Sequence, residues 1–458
     1  MNERNSFKSL ITHVGWATLS QIFLTVAGFG LNVVLGNVLG ESGFGIYSLA
    51  MTIYMLTNLV FTVGIPIALT KYAAEFVDNE EINAQYYTAS LLSVLITSSI
   101  GAISLFLLRG YLAHLFRMTE LAYLLPVLAL GIPFLGLGKT AIASLNGKRW
   151  MWQMAVGEIS RYVLLLSFTV AGILWASNKL YAAVWSLPIT DIVILPILLL
   201  LTKLKQNWSL TGISKHVLKI TRFGWQVVLA RIFEELDVRS HLLMAGLFLP
   251  KDAVGLFSLA SLMSTAIPLF PGAVQKVTGP AMTEMYAKGE IRTIESLVNQ
   301  TMRITAFLLT WIAVSIAVFF KEIITFLYAS RPGFLSAETA FLILATGAIF
   351  YGITVSISPI MFSIERPDIT FKVAIIRLIL SVVLTIVFVK PLGINGVAIG
   401  GAGTGFLVFI FWTISMKRLL AIRIDYGPLL LTPLLGYGVM LIGYLFPLSF
   451  AVRLGLVL

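Results

Sequence analysis

The amino-acid sequence predicts an all-α polytopic membrane protein, built of two parallel-related six-helix bundles around a central cavity, with one or two additional C-terminal helices. Three observations predict this fold class: the composition, an internal repeat and the number of long apolar runs. Hydrophobic residues make up 58% of the 458 residues, and charged residues only 12%. A soluble core of this length does not need so much apolar sequence, whereas a bilayer does. The chain has no cysteine, so its fold uses no disulfide.

The internal repeat relates two stretches in different halves of the chain. Residues 36–50 read GNVLGESGFGIYSLA and residues 246–260 read GLFLPKDAVGLFSLA, so Gly, Leu, Gly, Ser, Leu and Ala recur in register. The match continues downstream from Pro66–Ala73 to Pro280–Ala287. Duplication in so apolar a chain indicates two related helix bundles. This is the usual organisation of a secondary transporter, and it predicts a substrate site between the halves.

Apolar runs of about 20 residues, each long enough to cross roughly 30 Å of hydrocarbon, mark the predicted spans. They lie at 10–36, 44–70, 85–108, 120–144, 154–176, 181–202, 223–248, 255–280, 299–320, 336–362, 370–389, 396–416 and 428–447. The first is too long for a signal-peptide core and is predicted to be retained. The last lies outside the duplication, and we expect the chain either to end there or to have lost a fourteenth helix.

The distribution of basic residues predicts a cytoplasmic N-terminus in the cell (inner) membrane. With that orientation the inner loops carry about twice as many lysines and arginines as the outer loops. Six spans per half bring both repeats in from the same side, which makes them parallel repeats. The predicted domains are an N-terminal six-helix bundle, a basic cytoplasmic connector, a C-terminal six-helix bundle and an additional C-terminal helix, at 1–202, 203–222, 223–416 and 417–458.

Basic cytoplasmic loops, rather than a nucleic-acid site, account for the net charge of +11. The connector contributes Lys215, Lys219 and Arg222. We predict that it forms an amphipathic segment close to anionic headgroups. A monomeric transporter without a cofactor is expected.

The seventh span concentrates the charges that a lipid-facing helix does not tolerate. It carries Arg231, Glu234, Glu235, Asp237, Arg239 and His241. Each charge at the middle of such a helix costs about 2.5–3.5 kcal/mol on insertion scales, so the charged residues are predicted to face away from lipid. Helical spacing sorts them into two stripes, 231/235/239 and 234/237/241. Mutual neutralisation of these side chains is the structural alternative to a functional role.

The repeat supplies an internal control for these charges. A shift of 209 residues toward the N-terminus places uncharged residues of the first span at the equivalent positions, namely Ile22, Thr25, Val26, Gly28, Gly30 and Asn32. If the fold alone required the charges, both halves would be expected to carry some of them. Their restriction to the second half favours a function.

Other intramembrane charges give weaker signals. Lys139 and Arg303 lie near cytoplasmic ends and are expected to snorkel, whereas Lys276 either snorkels or faces the cavity. Glu158 and Arg161 are three residues apart and are candidates for a pair. Arg377 lies at nearly the repeat position of Arg161, which favours a shared structural role at least as much as a ligand role. Asp191 is the deepest acid outside the seventh span.

Several short motifs, taken together and in order, carry a resemblance over nearly the whole chain. They are the duplicated Gly-x-x-Leu-x-x-x-x-x-Gly-x-x-Ser-Leu-Ala signature, Gly64-Ile-Pro66 followed by Lys71-Tyr72, the turn Leu145-Asn-Gly-Lys148, and Gly393-x-x-Gly396-Val-Ala398. With them the chain resembles the polysaccharide transporter (Wzx-like O-antigen flippase) branch of the multidrug/oligosaccharidyl-lipid/polysaccharide exporter superfamily.

The resemblance implies alternating access and movement of a polyprenyl-pyrophosphate-linked oligosaccharide from the inner to the outer leaflet, for surface polysaccharide synthesis. It implies cationic residues for the pyrophosphate, and the matching candidates are Arg231, Arg239, Lys276 and Arg161. A lipid II flippase, another possibility, would usually carry fourteen helices and more basic residues on its first helix.

The acids of the seventh span suggest ion coupling. Crowded carboxylates and a neighbouring imidazole are able to load and release a proton or Na⁺, and the candidates are Glu234, Glu235, Asp237, His241 and Asp191. The same acids keep open a cation-coupled multidrug exporter of the superfamily, and a passive scramblase is a further alternative. A membrane enzyme of envelope-glycan synthesis would need a sizeable loop for its catalytic groups, and the predicted outer loops are short. The predicted partners are the lipid-linked substrate, membrane lipids and the coupling ion.

Overall fold

The computed structural model describes residues 3–203 and 208–445, except for the side chains of residues 3–14 and 442–445 and of a few positions within helices. The chain divides into two compact units, Met1–Glu235 and Leu236–Leu458. The division falls inside a helix rather than in the predicted connector. We refer to the two compact units, in chain order, as unit 1 and unit 2.

Throughout the described residues the regular structure is helical. Unit 1 contains α1 (Glu3–Phe61), α2 (Ile65–Glu75), α3 (Glu80–Leu115), α4 (Leu121–Gly147), α5 (Met151–Trp175), α6 (Lys179–Leu201) and the first part of α7 (Ile213–Phe248). Unit 2 contains the rest of α7, then α8 (Lys251–Thr265), α9 (Leu269–Ala287), α10 (Ile291–Val318), α11 (Phe320–Leu327), a 3-10 helix (Pro332–Ala337), α12 (Glu338–Ile357), α13 (Ile360–Ser363), α14 (Pro367–Leu420) and α15 (Tyr426–Leu445). The predicted all-α fold class is confirmed.

Eight helical segments of the described residues are long and apolar enough to cross a membrane. This number is smaller than the thirteen predicted spans, partly because two pairs of spans are continuous. Spans 10–36 and 44–70 follow one another along α1, which changes direction at Gly40 (φ 67°), and spans 370–389 and 396–416 are the two arms of α14, which turns at Gly393 (φ 56°). Glycine accepts these positive φ values without the steric cost of a Cβ.

The second span of each half is broken. In unit 1 the break falls before α2, where Gly64 takes a left-handed conformation (φ 64°). In unit 2 it falls between α8 and α9, next to Pro268, whose ring removes a backbone donor from the helix. The apolar runs 44–70 and 255–280 are therefore each divided between two helices.

Helix α7 begins ten residues before the predicted span, within the predicted connector, of which residues 204–207 lie outside the described part of the chain. Its first turns pack into the core of unit 1. Ile220 is fully buried there, in a cluster with Leu69, Tyr72 and Tyr86 from α2 and α3. The contact is close, because the backbone of Gly224 touches that of Val63 and Gly64.

Candidate functional site

Unit 1 holds a buried ion pair among α1, α5 and α6. Arg161 on α5 donates from Nε to Oδ1 of Asp191 on α6 at 2.8 Å, and the Asp191 side chain is only 1% exposed. The hydroxyl of Tyr54 on α1 donates to the other carboxylate oxygen, also at 2.8 Å. Both oxygens of this deep carboxylate therefore have a partner. Arg161 thus pairs with Asp191 and not, as the sequence suggested, with Glu158, which is hydrogen-bonded to Ser20.

A cavity of about 200 Å³ opens beside this pair. Lys139, Glu158, Arg161, Tyr162 and Asp191 contribute the polar part of its wall, and leucine and isoleucine side chains contribute most of the rest. The Lys139 ammonium donates to Oδ1 of Asn58 at 2.7 Å. Nη2 of Arg161 is buried and has no hydrogen-bond partner within the described part of the chain. The arginine thus neutralises Asp191 and keeps one donor unused.

Unit 2 holds a second buried ion pair, between α7 and α14. Arg377 contacts Asp237 through Nη2, and the aspartate side chain is 7% exposed. The guanidinium also lies over the ring of Tyr351, 4.3 Å from its centroid. A cation over an aromatic face is stabilised by the quadrupole of the ring. Arg377, which the sequence left undecided between a structural and a ligand role, is therefore the direct partner of a predicted site residue.

The contacts between α7 and α14 continue beyond this pair as a polar ladder. One turn along, the hydroxyls of Ser240 and Ser381 are 2.8 Å apart. His241 lies next to the same serine, with Nε2 at 3.2 Å from its hydroxyl, and Nδ1 lies 3.3 Å from the Thr385 hydroxyl. Residues 377, 381 and 385 are four apart and so face α7 together. The charges of α7 did not reveal this ladder in the sequence. The four-residue spacing of Arg377, Ser381 and Thr385 was the signal that could have revealed it.

The other predicted residues of α7 lie in different surroundings. Nη1 of Arg231 donates to Glu234 at 2.9 Å across the two predicted stripes, and the two side chains are 55% and 63% exposed. Glu235 and Arg239 are half-buried. Lys276 lies in α9, but its side chain lies outside the described residues. The structure therefore brings Asp237 and His241 into the ladder and leaves Arg231 and Glu234 at the surface of the chain.

Lysines and aromatic rings converge where the first turns of α7 meet α2 and α3. The Lys219 ammonium lies 4.9 Å from the ring centroid of Tyr72 and 5.6 Å from that of Tyr86, and these two rings are stacked at 4.6 Å. A hydrogen bond to Tyr86 raises the pKa of the Lys219 amine. Lys71 lies over Phe223 at 4.4 Å. Lys219, a basic residue of the predicted connector, thus contacts aromatic side chains of α2 and α3.

Matches to two family models, together with the fold, support a transporter of the multidrug/oligosaccharidyl-lipid/polysaccharide exporter superfamily. A family model described as polysaccharide biosynthesis protein matches residues 10–286, and one described as lipid II flippase MurJ matches residues 253–451. The chain belongs to the polysaccharide biosynthesis protein family, whose model covers more than half of it. The families that match are transporters and flippases rather than enzymes.

Solved structures with the same fold come from three kinds of transporter. Lipid II flippase MurJ in an inward closed conformation is 16% identical over 96% of this chain and 95% of its own, with a TM-score of 0.73. The Vibrio cholerae MATE transporter VcmN is 15% identical over 92% of this chain and 99% of its own, with a TM-score of 0.62. A superfamily transporter from Pyrococcus furiosus is 14% identical over 90% and 96%, with a TM-score of 0.58. At these identities the likeness concerns the fold.

One curated relative is similar in sequence. It is an uncharacterized membrane protein of Methanocaldococcus jannaschii, 28% identical over 172 residues. The match covers 36% of this chain and 34% of that protein. The chain therefore spans about a third of the length of this relative.

Proposed function

We propose that this protein is a flippase that moves a polyprenyl-pyrophosphate-linked oligosaccharide from the inner to the outer leaflet by alternating access, for surface polysaccharide synthesis. The observation that carries the proposal is the family match over residues 10–286. The fold shared with a lipid II flippase over 96% of the chain supports it, because that protein is named for moving a lipid-linked sugar.

Elementary electrostatics explains why such a substrate needs a protein. A pyrophosphate carries about two negative charges, and moving an isolated charge into hydrocarbon costs tens of kcal/mol by Born solvation. Spontaneous flipping is therefore negligible. Polar, basic surroundings lower this barrier for the headgroup, while the polyprenyl tail stays in lipid.

The residues proposed to hold the pyrophosphate are Arg231, Arg239 and Lys276. Arg231 supports this role best, because more than half of its side chain is exposed and it forms an ion pair with a similarly exposed glutamate, Glu234. Exposed pairs of this kind contribute little free energy and exchange partners readily. Arg161 offers the donor at Nη2, but its charge already balances Asp191.

Reconstitution of the purified protein in liposomes tests the function. We expect it to move a fluorescent polyprenyl-pyrophosphate oligosaccharide across the bilayer, but not a phosphatidylcholine analogue of the same chain length. Arg231→Ala and Arg239→Ala should each slow flipping by about tenfold or more, because loss of a charged hydrogen-bonding partner costs about 1.5–3 kcal/mol. The Lys variants at both positions should retain most of the activity. Unchanged flipping in both Ala variants would remove the arginines from the proposal.

A lipid II flippase is the second candidate, and the match of that family model to residues 253–451 favours it. The same liposomes separate the two, since lipid II and an oligosaccharide-linked lipid are offered in competition. Rescue of a strain depleted of its own lipid II flippase would decide for the second candidate. Rescue of a strain that lacks its surface-polysaccharide flippase would decide for the first.

Ion coupling is the remaining part of the proposal. Among the predicted acids, Glu234 is exposed and Glu235 half-buried. Asp191 and Asp237 are buried against arginines. We therefore expect an imposed proton or Na⁺ gradient to change the flipping rate through Glu234 or Glu235. Glu234→Gln combined with Glu235→Gln should abolish the response while substrate still binds, and a response that persists in this variant would contradict the assignment.

A further inference from the structure

The two buried ion pairs use arginines at corresponding positions of the repeat, but aspartates at positions that do not correspond. Arg161 and Arg377 lie on the fifth predicted span of their own halves, 216 residues apart. Their acids come from different places: Asp191 lies on the sixth span of the first half, and Asp237 on the first span of the second. Gly28 holds the repeat position of Asp237 in unit 1, and a Cβ added to it would meet the ring of Tyr162 at 3.7 Å.

Both units therefore retain the arginine of the ion pair, and only the position of its acid differs. A buried carboxylate that stays ionised needs a cation beside it, because removal of the partner leaves an uncompensated charge in a low dielectric. That cation is either fixed to the protein or taken from solution. Arginine is the side chain best suited to be the fixed one, since its guanidinium stays protonated at every physiological pH and binds a carboxylate through a rigid fork.

The surroundings of Asp237 show what the carboxylate would bind without its arginine. Within one turn of it lie the hydroxyls of Ser240 and Ser381, with that of Thr385 a turn further on. Hard cations bind to carboxylate and other oxygen ligands of this kind. Unit 1 differs, because Lys139 lines the cavity next to Asp191 and supplies a second positive charge there. Unit 2 is therefore the place where the role of the arginine is tested most directly.

We propose that Arg161 and Arg377 are built-in cations that occupy the place of a dissociable metal ion at the buried aspartates. Neither Asp191 nor Asp237 binds Na⁺ in this protein, and Arg377 is the residue that excludes Na⁺ from the oxygen-rich ladder of unit 2. The inference rests on the proposed transport function in one respect only, namely that transport is the process a bound ion would drive. Sodium binding itself needs no substrate, so failure of the transport assay and failure of this inference are separate results.

Equilibrium binding of radioactive sodium to the purified full-length protein in nanodiscs tests the proposal. The unaltered protein and Asp237→Asn should bind the same amount of Na⁺. Arg377→Gln should bind Na⁺ at least about tenfold more tightly than the unaltered protein, because a guanidinium within about 4 Å of the site repels a second cation strongly. Adding Asp237→Asn to Arg377→Gln should abolish the gain.

Two further variants control for general effects of lost charge. Arg303→Gln removes an arginine from an exposed pair in the same unit and should leave Na⁺ binding unchanged. Arg377→Lys keeps a cation and should also show no gain. The thermal midpoint gives a second readout, since a ligand that binds only the folded state raises it. NaCl in place of choline chloride should raise the midpoint of Arg377→Gln by more than it raises that of the unaltered protein.

Either of two results overturns the proposal. One is Na⁺ binding by the unaltered protein that Asp237→Asn or Asp191→Asn removes, which would make an aspartate the ion site despite its arginine. The other is a folded Arg377→Gln protein with no gain in Na⁺ binding. If Arg377→Gln does not fold, the comparison of the unaltered protein with the two Asp→Asn variants decides alone, because equal binding supports the proposal and reduced binding contradicts it.

Discussion

Asp191 shows how a single deep carboxylate is accommodated within an apolar bundle. Its two oxygens accept from Tyr54 and Arg161, each at 2.8 Å, and almost none of its surface is exposed. A buried pair is weak evidence of stabilisation compared with an apolar substitute, yet breaking it is costly because one charge is left alone. The pair is therefore more informative when its members are changed singly and together.

We expect Asp191→Ala to lower the free energy of unfolding by about 3–5 kcal/mol, because it leaves the Arg161 guanidinium buried without a carboxylate. The double variant Arg161→Met with Asp191→Leu should cost much less than Asp191→Ala. Denaturant unfolding in detergent micelles measures both. Glu234→Ala is the matched control: it breaks an exposed pair and should stay within about 1 kcal/mol of the unaltered protein. Equal losses from the buried and the exposed pair would contradict this account.

At the scale of the element, α7 differs in its packing from α1, the helix that corresponds to it in the repeat. Its first turns pack on α2 and α3 through Ile220 and the lysine–tyrosine stack at Lys219. The contact requires Gly224, because a Cβ there would lie 2.5 Å from the carbonyl oxygen of Val63. Gly15 is its counterpart in the repeat, and a Cβ added to it meets nothing within 4 Å.

This difference between the two glycines predicts opposite results for one substitution. Gly224→Ala should destabilise the protein, because the start of α7 must move away from α2. Gly15→Ala should be neutral or stabilise α1 by up to about 1 kcal/mol, since alanine is the better helix former. Thermal midpoints of the two purified variants measure the effect. A Gly224→Ala protein as stable as Gly15→Ala would show that the close approach of the two backbones is not required.

At the scale of the whole molecule, the positive-inside rule predicts a cytoplasmic N-terminus. Because the chain has no cysteine, single introduced thiols report on one position at a time. Lys215 lies on the exposed side of α7 in the predicted cytoplasmic connector, and Lys179 begins α6 in a predicted outer loop with its side chain exposed. Both side chains are exposed, so a difference in labelling would report the side of the membrane.

In intact cells, an impermeant thiol reagent added outside should label Lys179→Cys and leave Lys215→Cys unlabelled. After the cells are opened, both variants should react. Labelling of Lys215→Cys from outside would invert the topology and, with it, the predicted direction of lipid-linked sugar movement.

The sequence by itself determined the features that are written in local pattern. Apolar runs, the duplicated motif and the excess of apolar residues predicted a helical membrane protein with two related halves, and the fold class is confirmed. It also identified α7 and the residues Asp191 and Asp237 as places where charge needs an explanation. These inferences succeed because composition and helical periodicity depend only on neighbours along the chain.

Only the tertiary structure decided which charges meet. Sequence proximity suggested Glu158 as the partner of Arg161, yet the carboxylate that reaches the guanidinium belongs to Asp191 on another helix. Asp237 likewise meets Arg377, which lies in a distant part of the chain. The physical reason is that an ion pair depends on the distance between two atoms after the helices have packed, and no periodicity along the chain contains that distance.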